Sequence, residues 1–198
     1  MLNFAIVAGS SRVNSQSAKI GRFLRQRLID LGHTSEAQSQ VIDLGQHPLP
    51  LWPAEHSGPW SQYAEVLQAA DAVIVIAPEW HGMAGPAIKN FFLYASKTEL
   101  AHKPGLLVGV SSGIGGAYPI SELRASGYKN CRLCYIPEHL IVRHAEKVLN
   151  DAEAASEDDA RLRARIDYDL DILVKYAHAL QPVRAAIDLA NPAFANGM

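Results

Sequence analysis

The feature of this sequence that most constrains its fold is the regular alternation of short apolar runs with longer amphipathic segments. The short runs are rich in Val, Ile, Leu and Ala, as buried strands are, and the amphipathic segments carry apolar residues at steps of three and four, as helices do. Alternating strands and helices predict a parallel sheet with helices on both faces. A chain of 198 residues suits one compact domain of this kind.

The pattern predicts five strands and five helices along the chain. The predicted strands are residues 4–8, 40–44, 72–77, 105–110 and 131–136, with a further extended stretch at 140–143. The first helix carries an apolar stripe from Ile20 to Leu31, and the next two cover residues 61–70 and begin at Pro86. The fourth covers residues 117–126, and the last begins after the N-cap Ser156 and is expected to end at Pro182.

Composition excludes several classes of partner. The formal net charge is −2 without a Lys/Arg run, so no nucleic-acid partner is expected. No apolar stretch approaches the roughly 20 residues of a membrane helix, and the N-terminus lacks signal-peptide features, so we expect a cytoplasmic protein without a membrane partner. Cys131 and Cys134 have a redox or zinc spacing, but no second Cys pair and no HExxH motif accompany them, so no metal is assigned.

Ligands of parallel α/β sheets bind beyond the carboxyl ends of the strands, which directs attention to three loops. The loop after the first strand, residues 9–17, offers serine hydroxyls, backbone amides, the Arg12 guanidinium and a helix start, all of which favour a phosphate. An ordinary polar loop is the alternative interpretation. Five basic residues and no acid between positions 12 and 29 add to the preference for an anion: Arg12, Lys19, Arg22, Arg25 and Arg27.

The loops after the third and fourth strands offer an apolar surface and backbone amides. Residues 78–86 combine Trp80 and His81 with glycines that let a flat ring approach closely. His81 is a general-base candidate or an ordinary polar loop residue. The three glycines in residues 111–116 indicate amides directed at an electron-rich group, or a plain turn. A phosphate end, an apolar plane and an amide-lined edge together describe flavin mononucleotide (FMN).

Short motifs in and beside these loops resemble the NADPH-dependent FMN reductase family, which includes quinone, azo-dye and chromate reductases. The most specific part is Pro78-Glu79-Trp80-His81-Gly82 followed by Pro86-Ala87-Ile88-Lys89-Asn90. Two departures are Trp80 in place of the usual Tyr and Leu93-Tyr94 in place of Asp-Trp. The resemblance covers about residues 3–145, and its other matching stretches are Gly9-Ser10-Ser11-Arg12 with Ser15, Leu49-Pro50-Leu51-Trp52, Ala70-Asp71, Lys103-Pro104, residues 113–116 and Leu123-Arg124.

The resemblance implies a flavodoxin-like three-layer sandwich with a five-stranded parallel sheet. Residues 1–182 would form the FMN-binding domain and residues 183–198 a C-terminal tail. The resemblance further implies that Ser10, Arg12, Ser15 and Ser17 hold the FMN phosphate, that Pro78, Glu79, Trp80, His81 and Gly82 line the flavin ring, and that Ser111, Gly113, Gly115 and Gly116 meet its pyrimidine edge.

The resemblance also implies an enzyme that moves hydride from NADPH or NADH to FMN and then to a small acceptor: a quinone, free flavin, azo compound or metal oxyanion. No side-chain acid or base is required, so no catalytic residue is assigned. A non-catalytic flavodoxin-type electron carrier or flavin-binding sensor is the alternative, although such carriers are typically strongly acidic and lack an arginine in the phosphate loop. A homodimer or homotetramer is expected, favoured by the apolar loop 49–53 with Trp60.

Overall fold

A computed structural model describes residues 1–196 and confirms the flavodoxin-like α/β fold. Gly197 and Met198, at the end of the predicted tail, lie outside the described residues. The strands are β1 (Phe4–Ala8), β2 (Ser39–Asp43), β3 (Ala72–Trp80), β4 (Met83–Ala84), β5 (Pro104–Val110) and β6 (Cys134–Val142). Five of them form a parallel sheet in the order β2-β1-β3-β5-β6, and β4 pairs antiparallel with the end of β3.

Helices cover both faces of this sheet. The helices are α1 (Gln16–Asp30), α2 (Trp60–Ala69), α3 (Pro86–Tyr94), the short α4 (Lys97–Leu100), α5 (Ala117–Ala125) and α6 (Glu157–Ala186). One core packs α1 and α6 on the sheet and includes Leu24, Ile74 and Leu170. The other lies under α2, α3 and α5 and includes Leu67 and Phe91. The three-layer arrangement follows because β1, β3 and β5 are buried along most of their length, as central parallel strands are.

The last strand differs from the prediction, because it is one strand with an irregularity and begins at Cys134, not at Cys131. Its register to β5 shifts between the pairs Gly105–Tyr135 and Leu107–His139. Pro137 lies in the shifted part and has no N–H for the ladder. Arg124 of α5 takes up the freed acceptors, since its guanidinium donates to the carbonyls of Ile136 and Pro137, both at 2.8 Å.

The predicted end of the last helix at Pro182 is wrong, because α6 continues through that proline to Ala186. Proline removes the N–H that would reach the carbonyl of His178, and that residue is exposed, so water can satisfy the carbonyl. Beyond the proline, Arg184 Nη2 lies 3.1 Å from Asp71 Oδ1, and Gln181, directly before the proline, donates through Nε2 to the same oxygen at 3.0 Å. The division of the chain at residue 182 into domain and tail stays a prediction.

The described part of the predicted tail lies against the fold. Lys97 Nζ donates to Leu189 O at 2.7 Å, and Arg132 donates to the carbonyl of Phe194 in a short 3-10 turn. Among the described residues, no helix has both the length and the hydropathy needed to cross a membrane.

Candidate functional site

A cavity of about 450 Å³ lies beyond the carboxyl ends of β1, β3 and β5, where the loop argument places a ligand. Its size falls in the range of about 300–1,000 Å³ that is common for small-molecule sites. Seven of the thirteen predicted site residues line it: Ser10, Arg12, Ser15, Ser17, Pro78, Glu79 and Trp80. The sequence did not single out its other lining residues: Val13, Asn14, Gln16, Val110, Ser112, Ala145 and Glu146.

One end of the cavity is built to receive an anion. Ser15 is the N-cap of α1, and its hydroxyl accepts a hydrogen bond from Ala18 N at 3.1 Å. Ser10 is buried, and its hydroxyl accepts from Arg12 N at 3.2 Å. Ser17 is only 1% exposed, and its Oγ has no hydrogen-bond partner among the described residues. Since an unpaired buried hydroxyl costs about 1–3 kcal/mol, Ser17 favours a ligand acceptor at the positive end of α1.

Arg12 supplies the cation of this cavity. Its Cζ lies 4.1 Å from the centroid of the Trp80 ring, so the guanidinium packs over the indole face. Within the part of the chain that the structure describes, no carboxylate lies within ion-pairing distance of Arg12. A guanidinium stacked on a ring keeps its N–H groups available. Arg12 can therefore bind an anion without breaking an ion pair within the protein.

Basic residues of the first helix form contacts within the protein, whereas we interpreted their positive charge as favouring a phosphate. Arg27 forms a bidentate pair with Asp167 at 2.6 and 2.7 Å. Arg25 donates to the carbonyls of Ser39 and Glu36, both at 2.8 Å. Lys19 Nζ donates to Ala145 O at 2.6 Å, and burial lowers the pKa of Lys19. Of the five basic residues, Arg12 alone lines the cavity.

The segment after the third strand is a hairpin, not the loop that the sequence predicted. β3 continues through Glu79 to Trp80, which pairs with Met83 of β4. His81 and Gly82 are the two turn residues, with φ of 49° and 71°, and positive φ at both positions is what a type I′ hairpin turn requires. Both are exposed and do not line the cavity. The His-Gly pair therefore has a conformational explanation, and the geometry gives no support to His81 as a base.

Glu79 joins the hairpin to the third loop. Its Oε2 accepts from Gly116 N at 2.5 Å, so this amide is used inside the protein. Gly115 lies so close that a Cβ there would stand 2.6 Å from Glu79 Oε1, which explains the glycine sterically. We expected both glycines to meet a ligand, but Gly115 and Gly116 lie outside the cavity lining.

The remainder of the third loop contributes through a different residue than predicted. Ser112 lines the cavity, whereas Ser111 and Gly113 do not; the Ser111 hydroxyl instead accepts from Gly113 N at 3.2 Å. The amides of Ser112 and Ile114 donate to no acceptor among the described residues. Of these two residues only Ser112 lines the cavity, so its N–H group is the one available to a ligand there.

Three residues outside the predicted site hold other segments of the chain in place. Gly45 packs so tightly under the first loop that a Cβ would stand 2.1 Å from Arg12 O. Asn90 holds the loop at residues 49–52, since its Oδ1 accepts from Trp52 N at 2.9 Å and its Nδ2 donates to Pro50 O at 2.8 Å. Glu122 accepts from Ala84 N at 2.7 Å and pairs with Lys89, which lowers the pKa of Glu122. The Lys89-Asn90 pair of the family motif was the sequence signal for the contacts of Asn90 and Glu122.

Comparison with known proteins agrees with this geometry. Residues 2–147 match the sequence profile described as NADPH-dependent FMN reductase. The FMN-dependent NADPH-azoreductase of Staphylococcus aureus is 25% identical over 176 residues, which cover 83% of this chain and 90% of that protein.

Two solved structures share the fold. FerB, a flavoenzyme NAD(P)H:(acceptor) oxidoreductase from Paracoccus denitrificans, superposes with a TM-score of 0.65 at 21% identity, over 91% of this chain and 99% of its own. An oxidoreductase from Corynebacterium diphtheriae gives a TM-score of 0.67 at 14% identity, over 90% and 98% of the two chains. At these identities the likeness shows the fold alone.

Proposed function

This chain belongs to the NADPH-dependent FMN reductase family, and from that premise we propose that it is an FMN-dependent NAD(P)H oxidoreductase with a small-molecule acceptor. The acceptor classes that fit the family are a quinone, free flavin, an azo compound or a metal oxyanion. The azoreductase name of the S. aureus relative makes an azo compound the first acceptor to test. A cytoplasmic location remains part of the same proposal.

The observation that carries the proposal is the unpartnered hydroxyl of Ser17 at the amino end of α1, in a cavity that Trp80 also lines. An orphaned buried donor at a helix N-terminus fits a phosphate, and a half-buried indole fits a flat ring. The residues present therefore fit FMN. Ser10, Arg12, Ser15 and Ser17 would hold its phosphate, and Pro78, Glu79 and Trp80 would border its ring.

Bound FMN would supply the hydride chemistry, and the protein would bind, orient and tune it. Ser17 and the amides of the first turn of α1 would satisfy phosphate oxygens, with Arg12 adding a charge-assisted contact. The free amide of Ser112 would stabilise negative charge at the ring edge. Glu79 would keep this loop in place through its bond to Gly116.

The proposal predicts that the protein binds FMN much more tightly than riboflavin and consumes NADPH when FMN is bound. The reason is that riboflavin lacks the phosphate for which Ser17 and Arg12 provide contacts. The measurements are fluorescence titrations with both flavins, followed by NADPH oxidation with a quinone or an azo dye. Equal affinity for the two flavins would contradict the phosphate site. Tight FMN binding without NADPH oxidation would indicate an electron carrier or a sensor.

We also propose that the chain associates as a homodimer or a tetramer of dimers. The proposal is motivated by the loop at residues 49–53, which places Leu51 and Trp52 on the surface at 80% and 47% exposure. Apolar side chains clustered on a surface commonly mark an interface. The expected result is a mass of at least twice 21.5 kDa in light scattering at micromolar concentration. A monomer under these conditions would be the opposing result.

A further inference from the structure

The carboxylate of Glu79 lies at the amino end of α5. Gly116 is the N-cap of this helix, and its N–H donates to Glu79 Oε2 at 2.5 Å. The other oxygen, Oε1, packs against Gly115, where a Cβ would stand only 2.6 Å away. The amino end of a helix has a positive potential and often binds the negative charge of a ligand. Here an acidic side chain of the protein itself takes that position.

No cation neutralises this carboxylate within the part of the chain that the structure describes. No Lys, Arg or His nitrogen there lies within ion-pairing distance of Glu79. Arg12 packs on Trp80, and Glu79 and Trp80 are consecutive residues of β3, whose side chains leave the strand on opposite faces. The negative charge of Glu79 is therefore offset by the amide dipoles of the helix start and not by the arginine of the cavity.

This charge lies close to the candidate flavin site. Glu79 is half-buried and lines the flavin cavity, so its carboxylate is no farther from the cavity lining than its own side chain is long. Partial burial reduces the screening by water, so the charge acts over a longer distance than it would on an open surface. Ser112, from the loop that Glu79 holds, lines the same cavity. Glu79 thus has two separable effects on the site, a hydrogen bond that holds a loop and a negative charge.

We propose that the charge of Glu79 lowers the reduction potential of bound FMN and so makes the reduced cofactor a stronger hydride donor. This inference rests on the proposed function. Uptake of two electrons and one proton adds one negative charge to the flavin. A carboxylate beside the cavity disfavours that added charge, and charges near the ring are one of the means by which a protein tunes a flavin. The positive end of α5 would favour the added charge, but Glu79 already offsets it.

Glu79→Gln separates the charge from the hydrogen bond, because the side-chain oxygen of glutamine can still accept from Gly116 N. We expect this variant to bind oxidised FMN about as tightly as the wild type. Its preference for reduced over oxidised FMN should rise about 10-fold, because one nearby negative charge is removed. A tenfold change corresponds to a rise of about 30 mV in the two-electron potential. The measurement is a spectroscopic redox titration of the FMN-loaded protein against a dye of known potential.

Two further variants isolate the cause of the shift. Glu79→Asp keeps the charge but is one methylene shorter and reaches Gly116 N less well, so it should keep the wild-type potential and bind FMN and riboflavin less tightly. Glu65→Gln is the matched control, since Glu65 is an exposed glutamate of α2 outside the cavity lining. Its potential should be that of the wild type. Melting curves of all variants without flavin check that each is folded.

An unchanged potential in Glu79→Gln would overturn the inference. Equal losses of affinity for oxidised and reduced FMN in this variant would do so as well, because Glu79 would then act only by holding the loop. A rise of equal size in Glu79→Asp or in Glu65→Gln would also contradict it, since the local charge would not be the cause. Failure of the wild-type protein to bind FMN would instead refute the proposed function, so the two failures are distinguishable.

Discussion

Arg12→Ala should weaken FMN binding by about 10- to 150-fold, because a hydrogen bond to a charged partner is worth roughly 1.5–3 kcal/mol. Riboflavin binding should change far less, since it has no phosphate to lose. The stability of the protein without flavin should change little, because Arg12 is exposed and has no acidic partner among the described residues. The measurements are titrations with both flavins and a melting curve on one variant.

The packing of Arg12 on Trp80 makes a second variant informative. Arg12→Lys keeps the positive charge but loses the planar fork that stacks on an indole and binds phosphate through two N–H groups. An intermediate loss of FMN affinity is therefore expected. Parallel losses of FMN and riboflavin in Arg12→Ala would show that the arginine shapes the ring site through Trp80 and does not act on the phosphate. Arg22→Ala is the control, because Arg22 is an exposed arginine of α1 that lies outside the cavity lining.

Asp169→Asn should stabilise the protein above pH 6. Asp169 is fully buried in α6, and neither carboxylate oxygen has an aligned hydrogen bond among the described residues. Desolvation raises its pKa to about 6, with Glu138 adding to the rise, although Arg165 Nε lies 2.9 Å from Oδ1 and opposes it. The ionised form is thus held in an unfavourable environment.

The sign of the pH dependence follows from the raised pKa. The folded protein holds the proton more tightly than the unfolded chain, so ionisation of Asp169 costs stability as pH rises through 6. The cost is fully present above that pH and absent below about 3.9, the usual pKa of an aspartate. Asn removes the charge, so we expect a gain of about 1–3 kcal/mol at pH 8 that shrinks toward pH 4.

Urea unfolding of the flavin-free protein at several pH values measures this gain. Asp171→Asn is a suitable control, because Asp171 lies in the same helix, is half exposed and pairs with Lys175 at the surface. Its effect should stay within about 0.5 kcal/mol at every pH. A loss of stability in Asp169→Asn that is equal at pH 5 and pH 8 would mean that the carboxylate stabilises the fold through Arg165.

Much of the fold could be predicted because its signals are local. The bounds of β2, β5, α2 and α5 agree with the predicted ranges to within one residue. Ser156 caps α6 and Pro86 begins α3, as predicted. Each of these signals involves residues within one helical turn or one strand, so the local sequence is enough to detect it.

The predictions that were wrong concern segments whose structure depends on partners distant in the sequence. The local sequence predicts that the helix ends at Pro182. Asp71, which is distant in the sequence, binds Arg184 and so stabilises the helix beyond that proline. The strand near Pro137 continues because Arg124 takes up its carbonyls. In the candidate site, the hydroxyls of the first loop follow from its sequence, yet the basic residues beside it are used by Asp167 and by carbonyls of other loops.

The sequence by itself therefore determined the parallel α/β architecture and the edge of the sheet where a ligand would bind, because periodicity and strand polarity decide both. Only the tertiary structure decided which side chains face that edge. It buries Ser17 without a partner, stacks Arg12 on Trp80 and gives the Gly116 amide to Glu79. These contacts join residues from separate loops, and each depends on distances that no local pattern encodes.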